Sequence, residues 1–125
     1  MRIFIAGPDA AFRMSLQLLL ESESGMAVTG TSDQLEGLPA MVKALCPDVL
    51  LLDYELVHQG TIELIDSLHH LESALKIIVL SIDPNVKDMT LAAGADYVIL
   101  KNAPPDDLLP ILHEIDLQSN NIRKG

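Results

Sequence analysis

The chain has 125 residues, 49% of them hydrophobic but only 3% aromatic, with a formal net charge of -10 and one cysteine, Cys46. A chain of this length buries a single core without disulfides or metal staples, and that core must be built from Leu, Ile, Val, Ala and Met, as in helices packed on a sheet. The acidic balance argues against this domain gripping nucleic acid or an anionic membrane, for want of a basic surface, and one cysteine excludes an internal disulfide and points to a reducing cytoplasm.

Met1-Arg2 leads into only four apolar residues before Gly7-Pro8, so neither a signal peptide nor a membrane anchor is expected. Ile3 to Ala6 reads as a short buried strand stopped by Gly7-Pro8. Asp9 then caps a helix in which Phe12, Leu16, Leu19 and Leu20 keep helical spacing until Gly25 ends it. Met26 to Thr29 is a second, less apolar strand that suits a sheet edge. A second helix runs through Met41, Val42 and Leu45 to Pro47, with Gly37 and Pro39 leaving its start open by a turn. Cys46 reads as a small apolar residue near the end of that helix.

Asp48 to Leu52 is the central strand, because the run Val49-Leu50-Leu51-Leu52 suits burial on both faces of a parallel sheet. After a loop around His58 to Gly60, Thr61 caps a third helix carrying Leu64, Ile65, Leu68 and Leu71. Ile77 to Leu80 is the fourth strand. Ser81-Ile82-Asp83-Pro84 supplies a cap and a first-turn proline, and Ala93-Gly94 a stop, which brackets a short fourth helix. Tyr97 to Leu100 is the fifth strand. Pro104-Pro105-Asp106-Asp107 opens a last helix through Leu108, Ile111, Leu112 and Ile115, with both acids at its positive end. Pro110 should distort its first turn by leaving the Asp106 carbonyl without a helical partner. From about Ser119 the apolar period stops, so 1–117 reads as the domain and 118–125 as a polar tail or the start of a linker. Five strands alternating with five helices predict a three-layer parallel α/β sandwich.

The carboxyl edge of such a sheet is where ligands and chemistry are found, and three strand ends there carry reactive side chains: Asp53, Ser81 and Lys101. A carboxylate, a hydroxyl and an ammonium on adjacent strand ends suit phosphoryl transfer to the carboxylate, with Ser81 and Lys101 holding phosphoryl oxygens. A purely architectural reading stands beside it, in which Asp53 is a cap or is simply paired by Lys101 as a buried carboxylate must be. His58, His69, His70 and His113 lack metal-ligand spacing and read as surface or packing residues. No phosphate-cradling glycine loop, nucleophile elbow or dinucleotide fingerprint is present.

Pro47-Asp48-Val49-Leu50-Leu51-Leu52-Asp53, Val79-Leu80-Ser81 and Gly94-Ala95-Asp96-Tyr97-Val98-Ile99-Leu100-Lys101 together resemble the receiver domain of two-component response regulators, over essentially residues 2 to 116. The resemblance implies a doubly wound, flavodoxin-like five-stranded sheet of order 2-1-3-4-5 with five helices. It also implies a signalling module rather than an enzyme, with Asp53 at the phosphoacceptor position, Ser81 as the switch hydroxyl and Lys101 as the lysine that pairs with the acceptor.

Against that pattern the chain departs in several places. The two acidic residues that follow the first strand in phosphate-accepting members and bind magnesium are Gly7 and Pro8 here, and neither side chain ligates a metal. Leu56-Val57 replaces the usual Met-Pro, and Gly60 comes one residue early. Val98 stands where the family places a switching aromatic, while Tyr97, one place earlier, points to the opposite face. Asn102 follows Lys101 in place of proline. Asp9, Glu55 and Asp83 are candidate replacement ligands near the rim, with Asp53 completing such a site, although Asp9 and Asp83 also read as helix caps and Glu55 as a solvated loop residue.

The reading preferred on sequence is therefore an atypical, degenerate receiver of the cytoplasm that acts by protein contact, with no cofactor and without magnesium-dependent phosphorylation. The alternative is a receiver phosphorylated on Asp53 by a histidine kinase through an altered metal site. A minor alternative is a small-ligand binder at the carboxyl edge. Partners are expected among signalling proteins, a histidine kinase or an output module, with a homodimer through Phe12, Met14 and Ile111 or through the region of Lys87, Asp88, Asp96, Asp106, Asp107 and Glu114.

Overall fold

In the computed structural model the described residues are 1–57, 60–102 and 107–124. Their strands form one parallel sheet in the order β2-β1-β3-β4-β5. The strands are β1 (Arg2–Ala6), β2 (Ala27–Ser32), β3 (Val49–Asp53), β4 (Lys76–Ser81) and β5 (Tyr97–Leu100), and the helices are α1 (Ala10–Glu21), α2 (Leu38–Leu45), α3 (Tyr54–Val57), α4 (Thr61–Leu71), α5 (Lys87–Ala92) and α6 (Leu108–Lys124).

Side chains alternate across a strand, so neighbouring residues of each strand supply opposite faces of the sheet. Ile3, Ile5, Val49, Leu51, Ile78, Leu80 and Ile99 meet Leu16 and Leu20 of α1 and Leu108, Leu112 and Ile115 of α6. Phe4, Ala6, Leu50, Leu52, Ile77 and Val79 meet Leu38 and Val42 of α2 and Ile65 and Leu68 of α4. The continuous aliphatic run of β3 is explained by this: every one of its five residues is buried, because both faces are covered.

β2 is the edge strand the sequence suggested, and it runs to Ser32, further than the apolar signal reached. Its pairing slips at one point. Ile3 opposes Val28 and Phe4 opposes Gly30, leaving Thr29 as the extra residue of a bulge.

Asp9 caps α1 through the Ala11 and Phe12 amides, and α1 ends at Glu21, four residues before Gly25, which turns the chain at φ 83. α2 starts at Leu38 after Gly37, with Pro39 in its first turn, and α4 starts at Thr61 with Gly60 as its cap, one residue before the cap the sequence suggested. Asp83 caps a 3-10 helix, Pro84–Val86, that leads into α5. Tyr54–Val57 form a short helix where the sequence carried no separate element, so there are six α-helices among the described residues instead of five. In α6, Pro110 is the third residue, where an amide has no helical partner to lose. The Asp106 carbonyl, and with it the expected distortion, lies outside the described residues, as do His58, Pro104 and Pro105. α6 continues as helix to Lys124, through residues whose composition had suggested a tail. No described helix is long and apolar enough to cross a membrane.

Candidate functional site

Parallel register brings the three predicted strand ends to one rim. Asp53 opposes Leu80, Ser81 opposes Leu100, and the Lys101 amide donates to the Ser81 carbonyl at 2.8 Å. Asp53 is the last residue of β3 and only 2% exposed. A carboxylate buried to that degree requires compensation for lost hydration. Lys101 supplies it: its Nζ donates to Asp53 Oδ2 at 2.7 Å, across 48 positions of sequence. The other oxygen, Oδ1, accepts the Glu55 amide at 2.9 Å. That bond starts the turn of α3, so the helix after β3 begins as a consequence of the aspartate before it.

The lysine is itself enclosed. Its side chain is 10% exposed, Glu55 Oε2 stands 3.9 Å from Nζ, and the ammonium lies 4.5 Å from the centroid of the Phe12 ring. That distance is within cation–π range. The Glu55 side chain, 42% exposed, reaches into solvent beside the pair.

Ser81 is buried at the same rim, and its hydroxyl bonds within its own turn. It donates to the Asp83 carbonyl and accepts from the Asp83 amide, each at 3.1 Å. Asp9 and Asp83, the other two acidic candidates, are committed to capping: Asp9 Oδ1 accepts from Ala11 at 2.9 Å and Phe12 at 3.3 Å, and Asp83 Oδ1 from Asn85 at 2.9 Å. Among the described residues, no three His, Cys, Asp or Glu side chains are grouped to hold a metal ion.

At the end of β1, Gly7 is buried against the acceptor position. A Cβ added there would lie 3.0 Å from Asp53 Cβ and 3.3 Å from its Oδ2, a spacing that only glycine tolerates without displacing a neighbour. The Gly7 amide donates to the Ser32 carbonyl at 3.0 Å, and Arg13 Nη1 donates to the Gly7 carbonyl. Pro8 is exposed.

On β5, Val98 packs with the α2 and α4 side of the core and Tyr97 with the α1 and α6 side, the opposed faces expected of adjacent strand residues. Burial, then the carboxylates of Glu114 and Asp96, push the Tyr97 phenol above its ordinary value. Asp96 is not a free surface carboxylate. Its Oδ2 accepts the Ile77 amide at 2.8 Å, and His69 and Lys76 stand at 3.4 and 3.8 Å. A cavity of about 420 Å³ lined by Met1, Asp48, Lys76, Ile115 and Asp116 lies at the amino edge of the sheet, away from Asp53.

The model of the response regulator receiver domain matches residues 3–113. The chain belongs to the response regulator receiver domain family. Among receiver-containing proteins it is similar to the nitrate/nitrite response regulator protein NarL of Escherichia coli, at 29% identity over 114 residues, covering 90% of this chain and 53% of NarL. The chain thus spans about half the length of that curated relative. By structure it is similar to RcsB from Salmonella enterica serovar Typhimurium bound to promoter rprA in the presence of phosphomimetic BeF3-, with a TM-score of 0.83, 24% identity, and 93% and 60% of the two chains covered. A LuxR-family two-component response regulator from Aurantimonas aligns with a TM-score of 0.82 at 21% identity over 91% and 83% of the chains. At these identities the structural likeness speaks for the fold. Receiver domains are signalling domains, working with histidine kinases and output domains, and this receiver places Asp53 and Lys101 in contact.

Phe12, Gly7 and Arg13 are the residues of the site that sequence reasoning missed. The sequence offers Phe12 as a helix-face and dimer-surface residue and Gly7 as a strand stop and a missing ligand, neither as a contact of the Asp53–Lys101 pair, and it does not single out Arg13. The spacing from Gly7 to Phe12 and Arg13, a turn followed by the first helical turn, is the signal that could have placed all three over one strand end.

Proposed function

We propose that this receiver is degenerate and works by protein contact, as a docking or dimerisation module in two-component signalling, without magnesium-dependent phosphorylation of Asp53. The observation that carries the reading is the state of Asp53: buried against Gly7, with Oδ2 on the Lys101 ammonium and Oδ1 on the Glu55 amide. Magnesium is held by near-octahedral oxygen, usually carboxylates together with the phosphate. Here Gly7 and Pro8 offer no side-chain oxygen, Asp9 and Asp83 each use a carboxylate oxygen as a cap, and among the described residues no three carboxylates or histidines group to hold a metal ion, with Glu55 the candidate beside Asp53. The divalent cation that would neutralise donor, acceptor and transition state therefore has a poor seat. Lys101 neutralises the carboxylate instead and fixes the rim in one arrangement. The partners are other signalling proteins of the cytoplasm, a kinase, an output module or a second copy. The -10 charge disfavours DNA and anionic membrane as direct partners of this domain.

A second reading has Asp53 accept phosphate from a histidine kinase through a metal site built on Asp53 and Glu55. Its support is that Asp53, Ser81 and Lys101 stand on three successive strand ends. Incubation with acetyl phosphate, with and without magnesium, followed by intact mass and an Asp53→Asn control, separates the two. The degenerate reading expects no adduct in either condition. An adduct that needs both magnesium and Asp53 sinks it and makes Glu55 the first ligand to mutate.

A further inference from the structure

We propose that residues 7 to 13 form a latch over the Asp53–Lys101 pair, with Gly7, Phe12 and Arg13 as positioning residues that keep the lysine on the carboxylate. The latch deepens the degenerate reading, resting on it in one respect: Asp53 is taken to be paired, not phosphorylated, in the resting protein.

Two contacts from one seven-residue segment reach the ion pair, and a third ties the segment to itself. Gly7 covers Asp53 so closely that a Cβ would meet the Asp53 side chain at 3.0 Å. Arg13 reaches back six residues to the Gly7 carbonyl, and the Gly7 amide is tied to Ser32 of β2, so the turn is held down from both sides. Phe12, between them, lays its ring under the Lys101 ammonium. Asp9 caps α1 through the amides of Ala11 and Phe12, which fixes where the helix starts and so where both side chains leave it. The segment thus acts on both members of the pair, the backbone on the acid and the ring on the base. Loosening it at Gly7, Phe12 or Arg13 has one common result: Lys101 becomes accessible.

The test reads Lys101 directly. The full chain is treated with a limiting amount of an acetylating ester, and modification of each lysine is followed by peptide mass, with the exposed Lys43 and Lys87 as internal references. Lys101 is expected to react at least about tenfold more slowly than the references, since reaction waits on local opening. Phe12→Leu and Arg13→Met should bring its rate up towards theirs while Lys43 and Lys87 are unchanged. Phe12→Met, close to phenylalanine in volume but without a π face, should release Lys101 whereas Phe12→Tyr should keep the protection, a distinction that a merely space-filling role for the ring would not produce. Gly7→Ala should release Lys101 as well, and if it does not fold, the Phe12 and Arg13 variants carry the test. Wild-type Lys101 reacting as fast as Lys43, or remaining protected in all the loosening variants, overturns the latch. A phosphoryl adduct with Lys101 still protected in the unphosphorylated protein removes the degenerate reading alone, and rapid Lys101 labelling with no adduct removes the latch alone.

Discussion

Asp53 and Lys101 illustrate how far a single buried charge organises its surroundings. Removing one partner leaves the other desolvated and unpaired, whereas replacing both with apolar groups of similar size removes the penalty together with the attraction. Lys101→Met is therefore expected to destabilise the fold by about 3–5 kcal/mol, and the double variant Asp53→Leu with Lys101→Met by distinctly less, which urea midpoints for the two proteins would check. Tyr97 gives a second expectation at this scale. Its phenol is raised, so the folded state holds the proton more tightly than the unfolded chain. That contribution is fully present below the ordinary phenol value and is lost as pH climbs from there through the raised one. Tyr97→Phe should consequently lose less stability than the wild type as pH rises above the ordinary phenol value of about 10, read as the change in urea midpoint with pH.

At the scale of elements, periodicity made most of the chain legible and local chemistry decided the rest. The helix faces of α1, α4 and α6 and the buried run of β3 could be read because core burial imposes 3.6- and 2-residue repeats directly on the residue types. The three rim residues could be placed because each follows an aliphatic strand. What the pattern could not carry was side-chain direction: Ser81 sits at the predicted strand end, yet its hydroxyl is used by the Asp83 backbone. Nor could it foresee α3, which exists because the Asp53 carboxylate takes the Glu55 amide, or the bulge at Thr29, which depends on how β2 fits β1. Gly30 sits next to that bulge with Phe4 packed over it, and a Cβ there would lie 2.8 Å from the Phe4 ring. Gly30→Ala should cost about 1–3 kcal/mol through overpacking, a loss that thermal unfolding of the variant would measure.

The whole molecule carries 18 acidic against 8 basic side chains, an excess that the basic side chains are too few to neutralise. Self-repulsion of this kind is long-ranged and screened by salt, unlike the enclosed Asp53–Lys101 contact. Raising the ionic strength from about 0.02 to about 0.5 M is expected to lift the thermal midpoint by about 2–4 °C, and a fall would show that favourable surface pairs outweigh the repulsion. Layer order and sheet topology were anticipated because strand-helix alternation admits few parallel arrangements and the family resemblance selected one of them. The extent of α6 was not, since its last turns carry no apolar stripe for a sequence pattern to show.

Cys46, which closes α2 by donating its amide to the Val42 carbonyl at 2.9 Å, does so at φ 47 and ψ 55. Among the described residues it is the one non-glycine side chain held at positive φ, a geometry that costs an L-residue about 1–2 kcal/mol. The thiol is exposed and contributes nothing to either core cluster. Cys46→Gly should thus relieve torsional strain and raise the urea midpoint while deleting the chain's sole sulfhydryl. The protein so obtained is a thiol-free scaffold, in which a single cysteine introduced on any surface takes a maleimide dye or spin label at that position and nowhere else.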